Sequence, residues 1–151
     1  ALSQMQKRGA VLFFGKARCV GCHSPPHFTD FKYHSIGLPQ GAQGPHSRGR
    51  DLGRAGVTNR SEDLYLFRTP PLIAVGLTAP YGHNGLIQDI ETTIYQHINP
   101  VLPIIEGRIK LSGPDRFTYG KSLASYSKKL RYIEISSQKE LQDLREFLLA
   151  L

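Results

Sequence analysis

The chain has 151 residues, a formal charge of +7, 40% apolar residues and 21% charged residues. That length suits one domain with its own core rather than two, and the apolar share argues against global disorder. No apolar run approaches about 18 residues, so no membrane span is expected; the basic residues are scattered with no nucleic-acid motif, so no nucleic acid is expected either, although the charge suits an acidic partner.

The first residues, Ala1-Leu2-Ser3-Gln4, lack the basic and apolar stretches of a leader, so a mature or trimmed chain is expected. Residues 3 to 18 read as a helix. Ser3 can cap it, Gln6 completes a capping box, and Leu2, Met5, Leu12 and Phe13 supply an apolar stripe. Residues 24 to 60 are rich in Gly, Pro, Ser and Asn and read as loop with short extended pieces. So long a stretch serves a purpose in a folded domain, and wrapping the edge of a prosthetic group is one. Ser61 is expected to start a short helix to about Phe67, broken by Thr69-Pro70-Pro71. Residues 72 to 85 form another Gly- and Pro-punctuated segment. Asp89 caps a helix to about Asn99, stopped by Pro100, in which Ile90, Ile94 and Ile98 share one face and His97 joins them. Residues 101 to 136 carry no clear pattern. Ser136 or Ser137 caps a last helix over about 137–150, with Leu141, Leu144, Leu148 and Leu151 inside.

Chemistry concentrates in Cys19-Val20-Gly21-Cys22-His23. C-x-x-C-H is the attachment pattern of haem c: two thiols on one side of a turn can add to the vinyl groups, and the following histidine faces the iron. A thioredoxin-type redox pair would sit beside a βαβ pattern, which is missing. A zinc site would want a second pair of ligands at ligand spacing. A disulfide across two residues would be strained. The expected cofactor is one covalent haem c. Attachment of haem c takes place outside the bacterial cytoplasm, so a periplasmic or otherwise extracytoplasmic location follows.

The second axial ligand largely sets what such a haem does. The lone methionine, Met5, lies in the stripe of the first helix and is a poor ligand. His27 is only four residues past His23, on the proximal side. His34 and His46 fall in loops. His83 sits in a tight turn flanked by Gly82 and Gly85, where a hydrogen bond to a haem propionate is the expected role. Tyr95 is on a different helical face. His97, on an apolar helix face, is the residue best set to reach a buried iron.

Several runs together resemble one family. Phe14 to Pro26, Phe28-Thr29-Asp30, Phe31 to Gly37, Asp51 to Arg54, Val57-Thr58, Phe67 to Leu72 and Leu77 to Gly85 occur in its order, over about residues 9 to 103. They resemble the C-terminal haem domain of bacterial di-haem cytochrome c peroxidases and MauG-type enzymes. The resemblance implies a six-coordinate haem that passes electrons to a second, N-terminal haem where peroxide reacts. It implies a distal ligand fourteen residues past the histidine of the A-P-Y-x-H-x-G turn, which is His97. In the family that ligand is methionine or tyrosine, so His97 implies bis-histidine ligation and a lower potential. The resemblance also implies a calcium ion bound by backbone oxygens at Thr78 and Pro80. It departs at Leu72-Ile73-Ala74, where an arginine is usual and Arg68 is the substitute, at Gly82, where an aromatic is usual, and in the lack of any tryptophan. The N-terminal haem domain has no counterpart here.

The fold class expected is therefore mainly α, a single cytochrome c-type haem domain over residues 1–151, with long ordered loops and at most a small β-hairpin. Its expected role is electron transfer, with a redox partner protein on a separate chain or in the missing N-terminal haem domain. Cys19 and Cys22 hold the haem, His23 and His97 bind iron, and Arg68 and His83 support it. The alternative is a peroxidase with an open or labile distal site, His83 or Glu91 moving the proton. A third reading makes the haem a structural staple.

Overall fold

The computed structural model describes residues 1–40, 51–111 and 113–151, and of these the side chains of Pro114 and Phe117 are set aside. Helix α1 spans Gln4–Phe14, and its capping box is present: Ser3 Oγ accepts from the Gln6 amide and Gln6 Oε1 accepts from the Ser3 amide at 2.8 Å. It ends four residues earlier than expected. The Gly15 amide closes on the carbonyls of Val11 and Leu12, and the chain turns at once into the cysteine segment.

The described helices that follow are α2 (Ala55–Thr58), α3 (Ile90–Ile98), α4 (Leu102–Ile105), α5 (Gly113–Ala124) and α6 (Gln138–Leu148). Asp89 caps α3 by accepting from the Thr92 amide at 2.7 Å, and Ser137 caps α6 by accepting from the Glu140 amide, as their sequences predict. The segment after Ser61 is a single 3-10 turn, Ser61–Asp63, and not a helix to Phe67. Phe67 is instead drawn into an extended pair: β1 (Tyr33–His34) runs antiparallel to β2 (Phe67–Arg68), with Tyr33 opposite Arg68. These strands are not a hairpin, because a long excursion separates them. The pairing closes the base of that excursion and fixes its two ends.

The main core forms where α1, α3 and α6 meet. Leu12, Phe13 and Ala17 pack against Ile90 and Ile94 and against Leu141, Leu144 and Phe147. Rings of Phe13 and Phe147 stand edge to face at 5.3 Å. Arg8 makes two 2.7 Å bonds to the buried Asp143 carboxylate, tying α1 to α6 a second time. Cys19, Val20 and Phe28 pack on the border of this core, so the α1–α6 pair is the base on which the cysteine turn rests. A smaller cluster of Leu38, Ile87 and Ile109 fastens the loop before residue 41 to the segment ahead of α3. The result is mainly helical with a two-stranded sheet. No described helix is long and apolar enough to cross a membrane.

Candidate haem site

Cys19–Gly21 is one 3-10 turn. The Cys19 carbonyl accepts the amides of both Cys22, at 3.1 Å, and His23, at 2.8 Å. That double acceptance places the two thiols and the imidazole around one tight loop. Neither cysteine is in a disulfide, and both are partly buried. Burial pushes the Cys19 thiol up to about 12. The Cys22 thiol is also raised, by burial and by Asp30, against the pull of Lys129 and Lys32. A redox or metal thiolate needs the opposite shift, so the thiol-redox reading has no support in the electrostatics. Cys22, Asp30 and His34 do bring ligand atoms within 4.8 Å of one another. His34 is already hydrogen-bonded to Asp30 at 2.9 Å, and with no fourth group among the described residues this is a bonded pair beside Cys22.

The two histidines expected to face iron share one feature. His23 Nδ1 lies 2.9 Å from the Phe28 carbonyl, and His97 Nδ1 lies 2.7 Å from the Thr93 carbonyl. A carbonyl only accepts, so each Nδ1 carries the proton and each Nε2 presents its lone pair. Metal-bound imidazoles are oriented by this kind of bond. The Phe28 carbonyl is itself fixed, because buried Thr29 donates to the Thr69 carbonyl at 2.7 Å and the Thr69 amide donates to Lys32 across the strand pair. His97 is held from the other side: the Tyr126 hydroxyl donates to its carbonyl, and Gln96 donates to the Ile36 carbonyl at 2.9 Å.

Burial holds His23 down to about 4, and the nearby His97 charge lowers it further, while the Phe28 carbonyl, Asp30 and Pro70 pull the other way. His97 is lowered as well, by burial, against its bond to Thr93. Both rings are held toward the neutral form, the form that binds a metal.

The other candidates separate cleanly. His83 stacks on Phe67 with centroids 3.7 Å apart, and burial holds it down to about 4 against Asp51. Its Nε2 is buried with no partner among the described residues. That orphan is what a propionate acceptor would satisfy. Arg68 is exposed, with its guanidinium over the Phe31 ring at 4.8 Å. Thr78 and Pro80 are exposed and join no acidic cluster among the described residues. Calcium takes six to eight oxygens, so the residues present do not by themselves make its site. Met5 is 41% exposed and Tyr95 bonds Gln138 at 3.2 Å, so neither competes for the iron. Glu91 pairs with Arg108 at 3.3 Å. His27 is exposed, and His46 lies outside the described residues. Two thiols on one turn, two imidazoles offering Nε2 and one orphaned imidazole fit a c-type haem.

No protein-family profile matches the chain. Individual proteins do. A cytochrome-c peroxidase, IdrP1, of Pseudomonas sp. (strain SCT) is 36% identical over 117 residues, 62% of this chain and 31% of that protein. The methylamine utilization protein MauG of Methylophilus methylotrophus is 38% identical over 98 residues, 62% of this chain and 27% of that protein. The chain is a relative of the di-haem cytochrome c peroxidases and MauG proteins.

The chain spans about a third or less of the curated relatives it matches, consistent with the C-terminal haem domain of that family. A solved MauG-like protein associated with microbial copper homeostasis is 28% identical, with a TM-score of 0.76 over 100% of this chain and 47% of that one. The diheme peroxidase BthA of Burkholderia thailandensis, 19% identical with a TM-score of 0.65, shares the fold.

Sequence reasoning named Cys19, Cys22, His23, His83 and His97 as candidates. It missed the parts that orient them: the Phe28 and Thr93 carbonyls, the Phe67 ring and Tyr126. Thr93 was within reach, since a histidine in the last turn of a helix can bond the carbonyl four residues back. Phe28 and Phe67 carry no local signal.

Proposed function

We propose that this chain is the electron-relay domain of a di-haem cytochrome c peroxidase or MauG-like oxidoreductase, holding one low-spin c-type haem between His23 and His97 outside the cytoplasm. The observation that carries the reading is the shared tautomer: each imidazole gives its Nδ1 proton to a backbone carbonyl and keeps Nε2 free. The Cys19 and Cys22 thiols are the attachment points, and the orphaned His83 Nε2 is the donor for a propionate. When bound, haem c supplies reversible one-electron chemistry at iron.

The protein's own contribution is to hold two neutral ligands in fixed orientation. Burial keeps His23 and His97 unprotonated. The bonds to Phe28 and Thr93 stop the rings from turning and raise their basicity, which favours ferric iron and a low potential. With His23 and His97 both holding the iron, no coordination position would be left for peroxide, which would put peroxide chemistry on another domain or chain.

The test is the visible spectrum of the haem-loaded protein, ferric and ferrous, with and without carbon monoxide. A low-spin spectrum that carbon monoxide leaves unchanged is expected, as is conversion to a high-spin, carbon monoxide-binding haem in His97→Ala. A native protein that is high-spin or readily binds carbon monoxide would overturn the relay reading and move peroxide chemistry onto this domain.

A further inference from the structure

The mouth of the cysteine turn is ringed by basic and aromatic side chains. On one side Arg18, the residue before Cys19, lies over the Tyr132 ring at 5.7 Å, and Tyr132 is 61% exposed. Tyr132 ends the 3-10 segment Lys128–Tyr132, which carries Lys129. On the other side His34 and Asp30 come within 4.8 Å of Cys22 Sγ, and Phe31, Lys32 and Tyr33 lie between them in sequence. Arg68 sits opposite Tyr33 in the strand pair and covers the 48% exposed Phe31. Arg18 joins the two sides: it precedes the Cys19–Gly21 turn and lies over Tyr132, while Asp30 and His34 stand beside Cys22 at the end of the same turn.

These cations are also unspent. Several other basic residues are paired, as Arg8 with Asp143, Lys16 with Glu140 and Arg54 with Asp63. Arg18, Lys32, Arg68 and Lys129 have no carboxylate partner among the described residues. The acid at this edge, Asp30, is committed to His34. Unpaired cations are a solvated surface by default. Here, however, they alternate with the exposed rings of Phe31, Tyr33 and Tyr132, the composition of a recognition patch, and they flank the partly exposed Cys22.

We infer that this face, from Arg18 and Lys129 across Cys22 to Lys32 and Arg68, docks an acidic protein that carries single electrons. Complementary charge steers the encounter and sets its salt dependence, and Phe31 and Tyr132 supply apolar contact once the water is displaced. Only the description of the partner as a redox protein rests on the relay reading; the charge of the docking face does not.

The experiment uses the ferric, haem-loaded protein with oxidised flavodoxin, an acidic protein, as probe and a basic mitochondrial-type cytochrome c as the contrasting one. Neither pair exchanges electrons in these states, so binding alone is read by NMR titration. Saturable binding of flavodoxin is expected, weakening about tenfold or more between roughly 20 and 200 mM ionic strength, with none for the basic probe. The pair Lys32→Glu and Lys129→Glu should weaken it at least about tenfold. The pair Lys7→Glu and Lys110→Glu changes net charge equally but lies in neither of the two flanking segments, and should change binding less than about twofold. Equal losses from both pairs would mean net charge alone and would overturn the proposal, as would salt-independent binding. Flotation of the wild type with phosphatidylglycerol vesicles, without flavodoxin binding, would make the face a membrane contact and also overturn it. Carbon monoxide binding at the iron would sink the relay reading and leave these titrations to be judged on their own.

Discussion

His97 stands at the end of α3 with its Nδ1 proton given to the Thr93 carbonyl, and His23 stands beyond a tight turn with its proton given to Phe28. Neighbouring backbone carbonyls therefore choose the tautomer in both cases, although one donor is helical and the other is not. Burial holds the ring protons off, His23 down to about 4 and His97 below its ordinary value. The sign of the pH effect follows. A free imidazole takes up a proton near pH 6.5, so below that pH the unfolded chain binds protons that the folded site refuses. Stability falls as pH falls through the window from about 6.5 to about 4, and the neutral ligand form survives across it. The low-spin spectrum should thus be unchanged from about pH 7 to 5 and be lost only near 4 or below, as a spectral acid titration would show. A high-spin transition centred near pH 6 would contradict the buried setting. His83, also held to about 4, offers a second handle. His83→Phe keeps the stack on Phe67 and removes the orphaned nitrogen. If that nitrogen meets a propionate, the midpoint potential should shift while the axial ligands stay low-spin.

At the scale of elements, the site depends on how closely α1 approaches α6. A methyl group at Gly9 would stand 1.9 Å from the Asp143 carbonyl oxygen and 2.7 Å from Phe147 Cβ. No side chain fits there without parting the helices. Gly9→Ala should cost about 2 kcal/mol or more, against the small gain alanine brings to an open helix, and urea unfolding of the haem-loaded protein measures it. An unchanged midpoint would show that the helices can slide apart freely. The sequence announces α1, α3 and α6 through their caps and apolar stripes, and these hold. It does not announce the stop at Phe14, which comes from a reversal at Gly15, or the β1–β2 pair, whose partners lie more than thirty residues apart. Two-residue strands have too few side chains to show an alternating pattern.

At the scale of the whole molecule, one main core beneath the cysteine turn supports long stretches of chain with little regular structure. The described residues outside α1, α3 and α6 are held by the small Leu38, Ile87 and Ile109 cluster, the β1–β2 pair and scattered bonds such as Gln40 to Ser122 at 2.8 Å and Asn84 to the Pro39 carbonyl at 2.8 Å. A covalent group that bridges Cys19, Cys22, His23 and His97 would tie those stretches to the core. The chain carrying Cys19→Ala and Cys22→Ala should therefore hold no haem through denaturing electrophoresis and should lose most of its helical circular dichroism at 37 °C. Native-like dichroism without haem would show that the core suffices by itself.

The sequence by itself determined the chemistry that short spacings encode. Cys19, Cys22 and His23 lie on one turn, Asp89 and Ser137 begin helices, and His97 shares a helix with Ile90 and Ile94; all are local facts. The tertiary structure decided which groups meet. Phe28 reaches His23 only because Thr29 is fastened to Thr69 forty residues away. The Phe67 ring is brought against His83, whose Nε2 has no partner among the described residues, by the pairing of distant strands. Arg18 meets Tyr132 only because the segment after α5 is folded back on the cysteine turn. Long-range placement comes from the summed packing of the core, and no window of sequence contains that sum.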